Sequence, residues 1–132
     1  IGLELGMKFV PITPPRVYSA GIDQKVMIKD TGRLSLLPDE QVTVKTEAGA
    51  ELDVTRKSWG FYATPSLNGR LPEFGLRAIL VRNKLGRYFV LLIEDGKHAE
   101  FQRYTEEQQL DQVLWLDDGE ALDAHFNLTE DA

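Results

Sequence analysis

Hydrophobic and polar side chains alternate along the first half of the chain. Residues 42–46 and 52–54 alternate at a period of two, which is typical of strands that expose one face to water, and residues 25–29 also predict a strand. Residues 30–33 (Asp-Thr-Gly-Arg) have the composition of a turn, and residues 47–50 (Glu-Ala-Gly-Ala) have that of a hairpin loop. The pattern therefore predicts an antiparallel meander.

Two later segments, residues 76–81 and 88–93, are apolar on both faces. Residues 83–86 (Asn-Lys-Leu-Gly) join them and predict a hairpin turn. Strands that are apolar on both faces must be covered on both faces.

A helix from about residue 97 to residue 109 supplies one cover for these strands. Phe101 and Tyr104 are three residues apart and so lie on one side of it, and Asp95 or Gly96 is the predicted N-cap. Because this apolar stripe is narrow, we expect the remaining sheet surface to be covered by other parts of the chain or by a second copy. The pattern thus favours a homo-oligomer.

The predicted fold class is α+β, a mostly antiparallel sheet of six or seven short strands with one main helix after the central hairpin. We predict an extended N-terminal arm (residues 1–24), a single domain (25–126) and a frayed tail (127–132). Within the domain, residues 112–116 form the last strand and residues 120–126 a short helical turn. Prolines favour extended backbone in the arm, at Pro11, Pro14 and Pro15.

Composition narrows the environment of the protein. The 132 residues include no cysteine, so disulfides, thiolate catalysis and zinc knuckles are excluded, and a reducing cytoplasm is the expected location. No run reaches the roughly 18–20 apolar residues of a membrane helix, so we expect no membrane association.

The charge is distributed unevenly. The net charge is −6, which argues against nucleic acid as a partner. Residues 56–87 nevertheless carry seven basic side chains and one acidic one, whereas residues 94–132 carry two basic and twelve acidic ones. Two interpretations follow. The basic segment and the acidic tail pair with each other across the fold or a dimer interface, or the basic segment forms an anion-binding surface.

Most catalytic and metal-binding motifs are absent from the sequence. His98 and His125 lack ligand spacing, and there is no HExxH, phosphate loop or G-x-S-x-G elbow. The acidic residues 117–120 lack the spacing of a calcium loop. We therefore expect no metal and no cofactor, and no catalytic residue can be assigned.

Residues 56–70 concentrate cations, aromatic rings and hydroxyl groups. Arginines can clamp a phosphate or carboxylate, aromatic rings can stack on a sugar or base, and hydroxyl and amide groups can bind sugar hydroxyls. The predicted ligand-binding residues are Arg56, Trp59, Tyr62, Ser66, Asn68 and Arg70. In the alternative interpretation, Trp59, Phe61 and Leu67 are core anchors and residues 64–69 form a structural loop.

The run Trp59-Gly60-Phe61-Tyr62-Ala63-Thr64-Pro65-Ser66-Leu67-Asn68-Gly69-Arg70-Leu71 also carries a resemblance. Together with the hairpin at residues 77–94 and with residues 113–117, it resembles a family of small bacterial proteins associated with surface-polysaccharide and nucleotide-sugar gene clusters. The resemblance covers roughly residues 20–118. It implies a role in a carbohydrate pathway and brings no established catalytic residues.

Three functional hypotheses remain. The leading one is a non-catalytic module that binds an anionic sugar or a nucleotide sugar in bacterial glycan biosynthesis. The second is a small enzyme on a similar substrate, with Asp53 or Glu73 as general base. The third is a homo-oligomeric assembly protein without a small-molecule ligand.

Overall fold

The computed structural model describes residues 6–128 and has an α+β fold built on antiparallel sheets, as predicted. The described elements follow in chain order: β1 (Lys8–Ala20), β2 (Val26–Ser35), β3 (Gln41–Lys45), β4 (Glu51–Lys57), β5 (Gly60–Tyr62), α1 (Arg70–Glu73), β6 (Leu76–Arg82), β7 (Tyr88–Glu94), α2 (His98–Glu107), β8 (Asp111–Trp115) and α3 (Gly119–His125). The strands form three small sheets, ordered β1-β2, β3-β4-β5 and β7-β6-β8.

The described chain divides into two compact units. The first unit comprises residues 6–42 and 53–63, and the second comprises residues 43–52 and 64–128. Residues 1–5 and 129–132, which include parts of the predicted arm and tail, lie outside the described residues.

The first unit contains a long two-stranded ribbon. β1 pairs antiparallel with β2 from Lys8 opposite Ser35 to Ala20 opposite Val26, with a register shift between Pro11 and Arg16. The N-terminal segment is therefore extended, as its prolines indicate, but it has a strand partner within the chain.

The predicted turn at residues 30–33 is wrong, because β2 runs through these residues without interruption. Asp30 accepts hydrogen bonds from Arg16 and from Arg33, which holds the strand together at this point. Gly32 is needed for packing and not for a turn, because a side chain there would collide with the ring of Phe9. As a consequence, β2 belongs to the ribbon and not to a meander with β3 and β4.

The second unit is built around β6, the central strand of its sheet. Successive strand residues point to opposite faces, so Ala78 enters a cluster with Ala50, Leu71 and Leu76. Ile79, the next residue of β6, points to the other face and belongs to a second cluster with Val81, Ile93 and Phe101. Phe101 comes from α2, so the predicted helix does cover one face of the apolar strands.

The N-cap of α2 differs from the prediction. The helix begins after Lys97 and not after Asp95 or Gly96. Gly96 has a φ of +83°, a backbone conformation that cannot continue into a right-handed helix, so the helix starts one residue later.

Three short elements complete the fold. The predicted helical turn at residues 120–126 is α3, whose first turn is capped by the Asp118 side chain, 3.0 Å from the backbone nitrogen of Ala121. Strand β5 and helix α1 were not predicted.

No helix within residues 6–128 has the length and apolar character needed to cross a membrane.

Candidate functional site

The six predicted ligand-binding residues are divided between the two units. Arg56, Trp59 and Tyr62 belong to the first unit, and Ser66, Asn68 and Arg70 belong to the second. Each group has its own local surroundings, and the binding role of the six residues stays a prediction.

In the first unit, Arg56 of the β4–β5 hairpin is held by two hydrogen bonds to residues outside the hairpin. Its backbone N–H donates to the backbone carbonyl of Glu40 (2.9 Å), and its guanidinium donates to the backbone carbonyl of Leu36 (3.0 Å). Neighbouring Lys57 hydrogen-bonds Asp39, and this bond is the main reason that the pKa of Lys57 is raised. Both cations of the hairpin therefore already serve contacts within their own unit.

The aromatic side chains of the same hairpin are open. Trp59 is 67% exposed and Tyr62 is 56% exposed, and their rings meet edge to face with 5.6 Å between centroids. Phe61, opposite Arg56 in the β4–β5 register, is exposed as well. Trp59 and Phe61 are therefore not core anchors, whereas Leu67 does pack against the core of the second unit.

In the second unit, the predicted polar residues stabilise the start of α1 and its surroundings. The Ser66 hydroxyl oxygen accepts the backbone N–H of Arg70 (2.7 Å). The Asn68 amide is packed so closely on Gly119 that a Cβ there would lie 2.7 Å from its nitrogen. The Arg70 guanidinium lies over the Phe74 ring at 4.4 Å. These contacts give all three side chains a structural use.

The second unit also has a cleft that the sequence did not point to. Its volume is about 290 Å³, and it is lined by Arg77, Ile93, Glu94, Asp95, Gly96, His98 and Trp115. The His98 ring lies 6.2 Å from the Trp115 ring, centroid to centroid, and its Nε2 is 3.2 Å from the Gln102 amide nitrogen.

Arg77 is the central side chain of this cleft. Its Nε donates to Asp117 Oδ2 (2.6 Å), its Nη2 lies 3.4 Å from Oδ1, and its guanidinium lies 4.1 Å from the centroid of the Trp115 ring. The hydrogen bond that Arg77 donates to Asp117 is the main reason that the pKa of Arg77 is raised. The sequence gives a weak signal for the Arg77–Asp117 pair. The acidic segment at residues 117–120 follows β8, and β8 lies in the same sheet as β6, which contains Arg77.

The chemistry of the cleft does not suit an anion. Its one arginine is already paired with Asp117, while Glu94 and Asp95 add two more carboxylates. Among the described residues, no group of three His, Asp or Glu side chains is arranged to hold a metal ion.

The two candidate general bases belong to different units. Asp53 belongs to β4 in the first unit, and Glu73 is an exposed side chain at the end of α1 in the second. Glu73 lines a shallow cavity of about 340 Å³ formed with residues 48–50, Phe74 and Gly75, together with Glu94 and Asp95.

Comparisons with protein-family models, with curated proteins and with solved structures found no significant match to the chain. The carbohydrate role implied by the resemblance therefore stays a prediction.

Proposed function

We propose that this chain is a non-catalytic, self-associating module that completes the hydrophobic core of its first unit against a second copy of itself. One observation carries the proposal. All of the buried side chains in residues 6–128 belong to the second unit, and the described part of the first unit contains none.

The first unit instead exposes large apolar side chains. They are Met7, Phe9, Val10, Val17, Tyr18, Ile22, Met27, Ile28, Leu34, Leu37, Trp59, Phe61 and Tyr62. An isolated two-stranded ribbon is marginally stable in water, and an apolar surface of this extent is typical of an interaction site.

Both faces of the β1–β2 ribbon contribute to this surface. Tyr18 lies opposite Ile28 on one face, whereas Val17 and Met27 lie on the other. Fully burying a side chain such as Val or Met gains about 1.5–3 kcal/mol. Association costs on the order of 4–15 kcal/mol, so a cluster of such side chains at an interface is sufficient to offset it.

The charges of the two units favour a second copy as the partner. The described first unit carries seven basic and five acidic side chains, whereas the described second unit carries eight basic and thirteen acidic ones. Two copies can therefore bring surfaces of opposite net charge together, which favours encounter between them.

Sedimentation velocity across a concentration series tests this proposal. We expect wild type to sediment as a dimer or larger assembly at about 10 µM, and the double variant Val17→Glu/Met27→Glu to sediment as a smaller species than wild type, because both charges enter one apolar face of the ribbon. The control is Leu85→Glu, an exposed apolar position in the β6–β7 turn, which should behave as wild type.

Two results would overturn the proposal. One is a wild type that stays monomeric to about 100 µM, and the other is a double variant that sediments as wild type does. Circular dichroism of each variant shows whether the strands are retained.

The exposed ring pair in the first unit supports a second candidate, the sugar-binding module. Trp59 and Tyr62 could stack on the apolar face of a sugar, with Arg56 and Lys57 nearby in the same hairpin. Thermal melting with sugar phosphates and nucleotide sugars tests it, using Trp59→Ala. Because Trp59 is exposed in the single chain, this substitution should remove a ligand-induced shift without disrupting the fold of the hairpin. Equal shifts in both proteins would rule out the ring pair as the binding surface.

A further inference from the structure

The sheet of the second unit has two edge strands, and only β8 carries features that prevent pairing with another chain. β8 begins with the polar residues Asp111 and Gln112, and its register against β6 shifts between Leu80 and Val81. Polar side chains and irregular register are the usual means by which proteins protect a sheet edge.

β7 has neither form of protection. It presents six consecutive apolar residues, 88–93, and its register against β6 is continuous from Tyr88 to Glu94. Tyr88 is 58% exposed, Phe89 is 46% exposed and Val90 is 54% exposed. An edge strand has a row of backbone N–H and C=O groups on its outer side, so β7 is suited to receive another strand.

We infer that β7 pairs antiparallel with β7 of a second copy, so that two three-stranded sheets join into one sheet of six strands. This inference rests on the proposed self-association and adds a second interface, on the second unit, to the apolar surface of the first unit. The partner strand is inferred from the charges at the two ends of β7.

These charges select the direction of pairing. Arg87 precedes the apolar run, and Glu94 and Asp95 follow it. Antiparallel pairing places the basic end of one strand beside the acidic end of the other, whereas parallel pairing in register places Arg87 beside Arg87. Like charges directly opposite each other are destabilising.

The same charges select the register. When the two-fold axis passes through Leu91, Arg87 lies opposite the partner's Asp95, and both side chains are exposed. If the register of the two strands slips by one residue, side chains from opposite faces of the two sheets are placed opposite each other. If it slips by two residues, Arg87 lies opposite either Ile93 or Lys97 of the partner strand. With Leu91 on the axis, Phe89 lies opposite the partner's Ile93 and Val90 lies opposite the partner's Leu92, so apolar residues meet along the whole seam.

A pair of lysine variants tests the inference. Val90→Lys places a charge on the β7 edge, and Val113→Lys places one at a similarly exposed position on the β8 edge (54% and 48% exposed). By sedimentation equilibrium we expect Val90→Lys to raise the dissociation constant at least tenfold and Val113→Lys to leave it within twofold. Because both valines are exposed in the single chain, both variants should keep the circular dichroism spectrum of wild type.

A cysteine experiment tests the register independently. The chain has no cysteine, so a disulfide between the chains of a single-cysteine variant can form only at the introduced residue. Directly opposed residues in an antiparallel pair have Cβ atoms about 4.5–5.5 Å apart, close to the distance that a disulfide spans. Leu91→Cys should therefore form a covalent dimer under mild oxidation, and Val113→Cys should not.

The outcomes separate this inference from the proposed function. A wild-type assembly that persists in Val90→Lys, with no cross-link in Leu91→Cys, overturns β7 pairing and leaves self-association standing. A monomeric wild type overturns both. Equal weakening by the two lysine variants also overturns β7 pairing, since the effect would then not be specific to one edge.

Discussion

Arg77 combines an ion pair with packing on an aromatic ring. Its bond to Asp117 is short, the Asp117 side chain is largely buried, and the Trp115 ring lies beneath the guanidinium. Partly exposed ion pairs and cation–π contacts each contribute roughly 0.5–1 kcal/mol. We therefore expect Arg77→Ala to lower the free energy of unfolding by about 1–2 kcal/mol in urea denaturation.

Arg82→Ala is the matched control for that prediction. Arg82 lies on the same strand, but its guanidinium is 5.8 Å from the centroid of the Tyr88 ring, and no ion pair is found for it among the described residues. Its replacement should change the free energy of unfolding by less than about 0.5 kcal/mol. Equal losses for the two variants would show that the Asp117 bond contributes nothing.

Asp30 gives the ribbon a dependence on pH. Hydrogen bonds from Arg33 and then from Arg16 lower the pKa of Asp30 below its ordinary value. A lowered folded-state pKa means that the stabilisation is complete above the ordinary pKa and is lost as the pH falls through the lowered one.

In Asp30→Asn, the backbone amide hydrogens of β2 should therefore exchange with solvent faster than they do in wild type at pH 7. The difference in protection factors, measured by hydrogen exchange, should vanish at pH values below the folded pKa of Asp30. A difference that stayed constant down to that range would mean that the carboxylate charge is irrelevant to the ribbon.

At the scale of elements, the sequence predicts best where a segment packs into a core. The limits of β6, β7 and α2 lie close to the predicted ones, because apolar side chains on both faces of a strand and one apolar side of a helix leave few alternatives. β2 was mispredicted because the bond of Asp30 with Arg16 and the packing of Gly32 on Phe9 join it to β1, more than ten residues away along the chain. Local turn composition carries no information about such partners.

The candidate site shows the same limit. Hydroxyl, amide and guanidinium groups that can bind a ligand can equally stabilise the chain, and composition does not separate the two uses. Ser66 illustrates this, since its oxygen receives the first N–H of α1. The cleft around Arg77 could not be predicted, because it brings together residues from β6, β7, α2 and β8.

Ser66→Ala is expected to lower the free energy of unfolding by about 1 kcal/mol, the usual effect of losing a side-chain bond to a helix N-terminus. Ser58→Ala, an exposed position in the β4–β5 turn, serves as the control and should have no measurable effect in urea denaturation. If Ser66→Ala leaves stability unchanged while abolishing a ligand-induced melting shift, Ser66 is a binding residue and not a structural one.

For the whole molecule, the uneven distribution of buried side chains predicts uneven stability. The second unit has two apolar clusters of its own, whereas the first unit depends on contacts that assembly would supply. Binding that stabilises only the folded state acts by mass action, so the stability it provides decreases when the protein is diluted.

Hydrogen exchange at two concentrations measures this dependence. Between about 100 µM and 1 µM, amides of β1 and β2 should exchange at least tenfold faster in the dilute sample, because an unpartnered ribbon opens locally. Amides of β6, which is paired on both sides and holds Ile79 and Val81 in the core, should change much less. Ribbon amides that exchange as slowly at 1 µM as at 100 µM would show that the first unit is stable without a partner, and its exposed apolar side chains would then need a different explanation from assembly.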